Sequence, residues 1–159
     1  VRVFRVGGAS RAETVRNGVS TLLEQGLAEA QDNILVHDAA RCCLPAEALT
    51  RLLDEAEESN EGGILAIPVA DTLKRADGSH HIDETVARAG LWQAQTPQLF
   101  QTALLNRALS VDDLSEITDE ASAVEKLGIR PRLVQGDTRN LKLTLPQDEY
   151  IVILLLKAV

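Results

Sequence analysis

The sequence predicts an α/β fold with a mostly parallel sheet, and three observations predict it. Ile34-Leu35-Val36 and Ile64 to Val69 are short apolar runs with the length of buried strands. Helix-period segments precede and separate them, the second carrying Leu49, Leu52, Leu53 and Ala56 on one face. The resulting β-α-β-α-β order calls for parallel strands joined by right-handed crossovers.

Each element has a local cause. Val1, Val3 and Val6 alternate with Arg2 and Arg5, which predicts a first strand ended by Gly7-Gly8. Ser10 and Glu13 then form a capping box for a helix carrying Val15, Val19, Leu22 and Leu23, with Gly26 as its stop. After the Ile34 strand, Pro45 suits the first turn of the second helix, and Asn60, Gly62 and Gly63 end it.

Residues 70–94 break the rhythm. Asp77-Gly78 is a hairpin turn signal between Asp71–Arg75 and Ile82–Val86, so this part is expected to be a two-stranded arm. An arm with so little apolar surface needs support, which predicts a homodimer. His80 and His81 would point to opposite faces of such a strand, a poor geometry for a shared metal. Gly90 to Phe100 holds the single Trp and many amides and hydroxyls; it reads equally as a loop pinned by Trp92 in the core. Helices are expected from Gln101 to Leu109 and from Thr118-Asp119-Glu120 to Gly128, with acidic residues favourably near the latter's start. Arg132–Gln135 and Asn140–Leu143 read as strands. Thr144 and Gln147 would cap a last helix, Asp148 to Ala158.

The 159 residues fit one α/β domain spanning 1–159, with the 70–94 arm inside it. A net charge of −8 speaks against a general nucleic-acid surface but leaves room for a local anion site. No apolar run approaches the roughly 18 residues of a membrane span. Cys42 and Cys43 are adjacent and are read as reduced thiols, which points to the cytoplasm; no second pair stands at metal-ligand spacing. The chain holds no Met and opens directly on a strand pattern, so a preceding segment is expected.

The candidate site starts from Asp38, placed where the Ile34 strand should end. Ligands of open α/β sheets bind outside the carboxyl ends of strands. Ala39 and Ala40 leave room, and Arg41 offers a planar cation suited to phosphate. Asp38 and Arg41 also read as an ordinary surface ion pair. Gly7-Gly8 before a helix start could hold an anion or a base edge, although most such pairs are simple turns.

Five segments in order, Val36–Arg41, Pro68–Arg75, Leu91–Gln98, Thr118–Ser122 and Asn140–Thr144, together resemble the 2-C-methyl-D-erythritol 4-phosphate cytidylyltransferase family. That resemblance implies a Rossmann-like three-layer sandwich of the nucleotide-diphospho-sugar transferase kind. It implies cytidylyl transfer from CTP to a sugar-alcohol phosphate, with Mg²⁺ as cofactor and pyrophosphate as by-product, in the non-mevalonate isoprenoid route. Ribitol 5-phosphate as the acceptor, and a non-catalytic dimerisation fragment, are the alternatives. By the same resemblance Gly8, Thr14 and Asp38 would serve the nucleotide, with Thr14 standing where a serine is common. Ala9 stands where some members carry an acidic residue. Asp38, Arg41 and Lys142 would serve catalysis, and Asp38 would touch the metal. Thr72, Arg88 and Thr96 would contact the acceptor, Thr72 and Arg88 from the arm across a dimer. The family's glycine-rich nucleotide loop, with its Pro-Lys-Gln context, has no counterpart in these 159 residues. The chain is therefore expected to lack roughly the first third of the family's length and to be poorly active alone.

Overall fold

Alternation of side-chain direction along two adjacent strands decides the layering. A computed structural model of the chain describes residues 1–158. In β2 (Gly63–Pro68) Ile64 belongs to one apolar cluster and Leu65 to the other, and in β5 (Trp92–Gln101) Phe100 and Leu99 divide in the same way. On one face Ile64 and Phe100 meet Val19 of α1 (Arg11–Glu24), Leu105, Ala108 and Leu109 of α3 (Thr102–Leu109), and Ala121 and Val124 of α4 (Glu120–Glu125). On the other face Leu65 and Leu99 meet Ala48, Leu52 and Ala56 of α2 (Ala46–Ala56) and Val134 of β6 (Arg132–Gln135). Helix, sheet and helix form the three expected layers.

The sheet order is β1-β5-β2-β6, where β1 is Asn33–Val36. β2 and β6 are parallel, while β5 runs antiparallel to both β1 and β2. Strands β1, β2 and β6 thus share one direction, and β5 is inserted against them. The sheet is mixed: three of its four strands share a direction, while two of its three pairings are antiparallel.

β5 is the element least like its sequence pattern. Pro97 cannot donate to a ladder, and a proline argues against a central strand. Here the pairing passes from Ile64 opposite Gln98 to Ala66 opposite Ala94, so Gln95, Thr96 and Pro97 face Leu65 alone. This bulge absorbs the proline and re-aims the side chains around it. Trp92, offered as a core anchor, is instead 38% exposed at the strand's start. The loop reading of this segment is corrected accordingly.

Three other expectations change. Residues 1–6 form no strand, because no strand among the described residues pairs with them; Asn17 Nδ2 donates to Val6 O at 2.9 Å. Asn140–Leu143 begins at a bend and forms no strand. The last helix, α5 (Asp148–Lys157), takes no side-chain cap from Thr144 or Gln147. Asp148 reaches back, its carboxylate accepting from the Thr144 and Leu145 N–H groups at 3.0 and 2.8 Å.

The arm is present as a two-stranded antiparallel hairpin, β3 (Leu73–Ala76) with β4 (Ile82–Val86). Its strands are almost wholly exposed, including Ile82 at 66%. At its tip Asp77 accepts from the Ser79 and His81 N–H groups, and His80 takes the left-handed conformation at φ 62°. No helix among the described residues is long and apolar enough to cross a membrane.

Candidate functional site

Asp38 follows the end of β1, at the mouth the sequence predicted for it. Its loop is held by a relay of side chains. The Asp38 N–H donates to Thr96 Oγ1 at 2.9 Å, and Thr96 Oγ1 lies 2.9 Å from His37 Nδ1. His37 Nε2 lies 2.9 Å from the Arg41 carbonyl oxygen. A carbonyl can only accept, so Nε2 carries the proton in the neutral ring and Nδ1 accepts from the Thr96 hydroxyl. Thr96, 4% exposed, therefore has its hydroxyl engaged in shaping this loop.

The segment after β6 closes under the same loop. Asn140, fully buried, donates from Nδ2 to Thr96 O at 2.8 Å and to Gln95 Oε1 at 3.3 Å. Arg41 Nη1 donates to Asn140 O at 2.7 Å, and the Leu143 N–H donates to Ala40 O. These bonds carry Lys142 to the loop, where its Nζ stands 3.4 Å from Asp38 Oδ2.

Three cations surround Asp38. Arg11 is the nearest, with Nε at 3.0 Å and Nη2 at 2.9 Å from Oδ1. Lys142 and Arg41 face Oδ2, Arg41 Nε at 3.7 Å. The Asp38–Arg41 pair is therefore real but looser than its spacing suggested. Arg41 Nε and Asn140 Oδ1 are buried polar atoms without a hydrogen-bond partner among the described residues. Burial alone would raise the Asp38 carboxyl, but the hydrogen bond and charge of Arg11, then Lys142, bring it below the ordinary value. Burial lowers Arg41, Asp38 opposes that change, and the like charge of Arg11 adds to it. Arg11 would be lowered by burial, yet Glu120 and then Asp38 raise it overall.

Sequence reasoning gave Arg11 no functional role. Its guanidinium donates from Nη1 to Glu120 Oε1 at 2.6 Å and from Nη2 to Glu120 Oε2 at 3.1 Å. The visible signal was an arginine beside the helix cap Ser10, with nothing to show that it faces a partner 109 residues away. Gln98 was legible only as part of a motif. It is 1% exposed, its Nε2 donating to Gln95 O and Asp119 Oδ2 and its Oε1 accepting from the Ala121 N–H. It ties β5 to the start of α4.

Three hollows meet at this cluster. One of about 250 Å³ is lined by Arg11, Asp38, Arg41, Gln95, Thr96 and Lys142 among others. A second, about 430 Å³, runs past Thr14, Val36, Ala39 and Ala40. A third, about 410 Å³, lies beyond Arg41 toward Gln93, Thr138 and Leu141. Lys142 lines all three. A larger cavity of about 700 Å³ lies elsewhere, between Cys42–Glu47 and the end of α5; it brings only Glu47 and Arg139 as charges.

The remaining predicted residues are placed as follows. Thr14 Oγ1 accepts from the Gly8 N–H at 3.0 Å and donates to Ser10 O, so both residues fix the turn before α1. A side chain at Gly8 would meet Glu13 Cγ at 2.5 Å. Thr72 is exposed on the arm, and Arg88 Nη1 donates to Val69 O at 3.2 Å; neither lines the three hollows. No group of three or more His, Cys, Asp or Glu residues among those described could hold a metal by itself. Both cysteines are free.

The family model described as "IspD: 2-C-methyl-D-erythritol 4-phosphate cytidylyltransferase" matches residues 2–157. The 2-C-methyl-D-erythritol 4-phosphate cytidylyltransferase of Neisseria gonorrhoeae (strain NCCP11945) is 72% identical over 159 residues, covering 100% of this chain and 69% of that protein. A crystal structure of 4-diphosphocytidyl-2C-methyl-D-erythritol synthase superposes with a TM-score of 0.93 at 70% identity, over 98% of this chain and 72% of that one. The 2-C-methyl-D-erythritol 4-phosphate cytidylyltransferase from Thermus thermophilus superposes with a TM-score of 0.83 at 32% identity, over 95% of this chain and 71% of that one.

Proposed function

The chain belongs to the 2-C-methyl-D-erythritol 4-phosphate cytidylyltransferase family, nucleotidyltransferases of the non-mevalonate isoprenoid route, and we propose that the Asp38 cluster is where its cytidylyl transfer takes place. The observation that carries this assignment is a carboxylate faced by Arg11, Arg41 and Lys142 where three hollows meet.

The chemistry asks for this arrangement. An oxygen of 2-C-methyl-D-erythritol 4-phosphate forms a bond to the α-phosphorus of CTP. The bond from that phosphorus to the bridging oxygen breaks, and pyrophosphate leaves with the electron pair. The attacking phosphate is already anionic, so no strong general base is needed. Two anions that repel each other must be aligned, and charge on the transition state must be neutralised. Lys142, which lines all three hollows, can face both reactants. Arg41 lines two of the hollows and brings a second cation to the phosphates from beside Asp38. The nucleotide is assigned to the hollow lined by Thr14, Ala39 and Ala40, with Gly8 and Thr14 setting the turn beside it. Thr96 holds the Asp38 loop at the acceptor side.

Asp38 Oδ2 has Lys142 at 3.4 Å and Arg41 at 3.7 Å, so this oxygen is less tightly engaged than Oδ1. One carboxylate of this kind fits a Mg²⁺ ion whose other ligands are phosphate oxygens and water. When bound, Mg²⁺ would be held by Asp38 and would lower the charge on the triphosphate.

The arm supports a homodimer. Exposed Thr72 and Arg88 stand on or beside a hairpin with little support of its own, and a second copy would bring them to the neighbouring subunit's acceptor. The free thiols Cys42 and Cys43 suit a reducing cytoplasm.

Pyrophosphate release by the full-length gene product with CTP, using the methylerythritol and ribitol phosphates in parallel, tests the assignment. Turnover is expected with methylerythritol phosphate and should fall at least about 100-fold in Asp38→Asn. Preference for ribitol phosphate, or an active Asp38→Asn variant, would overturn it.

A further inference from the structure

Glu120 is an acidic residue, 1% exposed, and its partner Arg11 stands 109 residues away in the chain. A buried ion pair is weak evidence of stabilisation, because apolar residues of similar volume often do as well. Its geometry is informative. Arg11 meets both oxygens of Glu120 with Nη1 and Nη2, then meets Asp38 Oδ1 with Nε and Nη2. The guanidinium is planar, so fixing one edge against Glu120 fixes the direction of the other. A lysine could not make this double contact.

Glu120 itself is held firmly. It is the first residue of α4, directly after the N-cap Asp119. Asp119 accepts from the Ser122 N–H, Ser122 Oγ accepts from the Asp119 N–H, and Gln98 binds both Asp119 and the Ala121 N–H. A chain of short contacts therefore runs from central strand β5 through α4 and Arg11 to one oxygen of Asp38. The other oxygen is left toward Lys142 and Arg41.

We infer that Glu120 is a positioning residue for the reaction: acting through Arg11, it fixes Asp38 Oδ1 and so directs Oδ2 at Lys142 and the cleft. The inference rests on the assignment of transfer chemistry to Asp38. Loss of this clamp leaves the hollows that bind substrate in place but loosens a group that must be aligned in the transition state. Its effect belongs in kcat more than in KM.

The experiment uses Glu120→Gln and Arg11→Lys, singly and together, in the full-length gene product. Glu120→Gln should lower kcat about tenfold or more, with KM for CTP within about twofold. In the Arg11→Lys background the same substitution should have little further effect on kcat, because the route is already cut. The ¹⁵N resonance of Arg11 Nε should lose its protected, hydrogen-bonded character in Glu120→Gln, a readout independent of turnover. If Glu120→Gln does not fold, Glu120→Asp keeps the charge but shortens the reach, and the same outcomes apply. A kcat within twofold of the parent, a change confined to KM or to melting temperature, or fully additive effects would overturn the inference. An inactive parent protein would instead count against the transfer assignment, while the Arg11 resonance would still report on the clamp.

Discussion

Asp38 and Thr96 stand 58 residues apart in the chain, and the N–H of the first donates to the hydroxyl of the second at 2.9 Å. That contact joins the exit of β1 to the bulge of β5. It also recasts Thr96, whose hydroxyl is shared with His37 and so shapes the Asp38 loop.

Thr96→Ser keeps this hydroxyl and should retain most turnover and stability. Thr96→Val removes it, leaving the Asp38 N–H and His37 Nδ1 without their partner in a nearly closed site. A loss of about 1–3 kcal/mol is expected, together with a lower kcat. Denaturant midpoints beside steady-state rates will check both. Equal behaviour of the two variants would remove the proposed relay.

Arg88→Ala should raise KM for the alcohol phosphate more than KM for CTP, since the arm is assigned to the acceptor. Deleting residues 71–88 should leave a monomer in light scattering, because the hairpin is the exposed element proposed to bridge two copies. Equal KM effects, or a dimer that survives the deletion, would count against the arm's role.

Stability should fall on the acid side. Burial would raise the Asp38 carboxyl, but Arg11 and Lys142 hold it below its ordinary value, and backbone N–H groups of Leu145 and Thr144 do the same for Asp148. A carboxyl lowered in the folded state contributes stability above its unfolded pKa and loses it as pH falls through the folded one. Melting temperature should therefore be flat near neutrality and drop below about pH 4. Asp148→Asn should show a shallower drop over that range, and an unchanged acid profile would contradict the Asp148 contribution.

Gly62 precedes β2 at φ +72°, and a methyl group there would run into the Phe100 ring and the Leu99 carbonyl. Phe100 is fully buried and cannot yield easily. Gly62→Ala should cost on the order of 2–4 kcal/mol, combining left-handed backbone strain with overpacking. Chemical denaturation measures it directly.

Much of this was legible before any coordinates. The 3.6-residue spacing in α1 and α2, the Ser10 cap, the Asp77-Gly78 turn and the apolar runs of β1 and β2 are local signals, and the chain folds locally as they indicate. Asp38 at a strand exit was equally plain. Residues 1–6 and 140–143 had strand-like composition but found no ladder partner, which no local pattern can supply. β5 was obscured by Pro97, which a bulge absorbs, and by its amides, because Gln95 and Gln98 find partners only in the segment after β6 and at the start of α4.

The sequence by itself determined the helices, the hairpin, the fold class and the carboxylate around which the cleft is built. Tertiary structure decided which charges that carboxylate meets. Arg11 lies 27 residues before Asp38 and Glu120 lies 109 residues after Arg11, yet all three converge because β5 is inserted between β1 and β2 and carries α4 to the mouth of the sheet. Periodicity and capping act over a few residues, whereas the partners of a buried charge are set by strand order and layer packing.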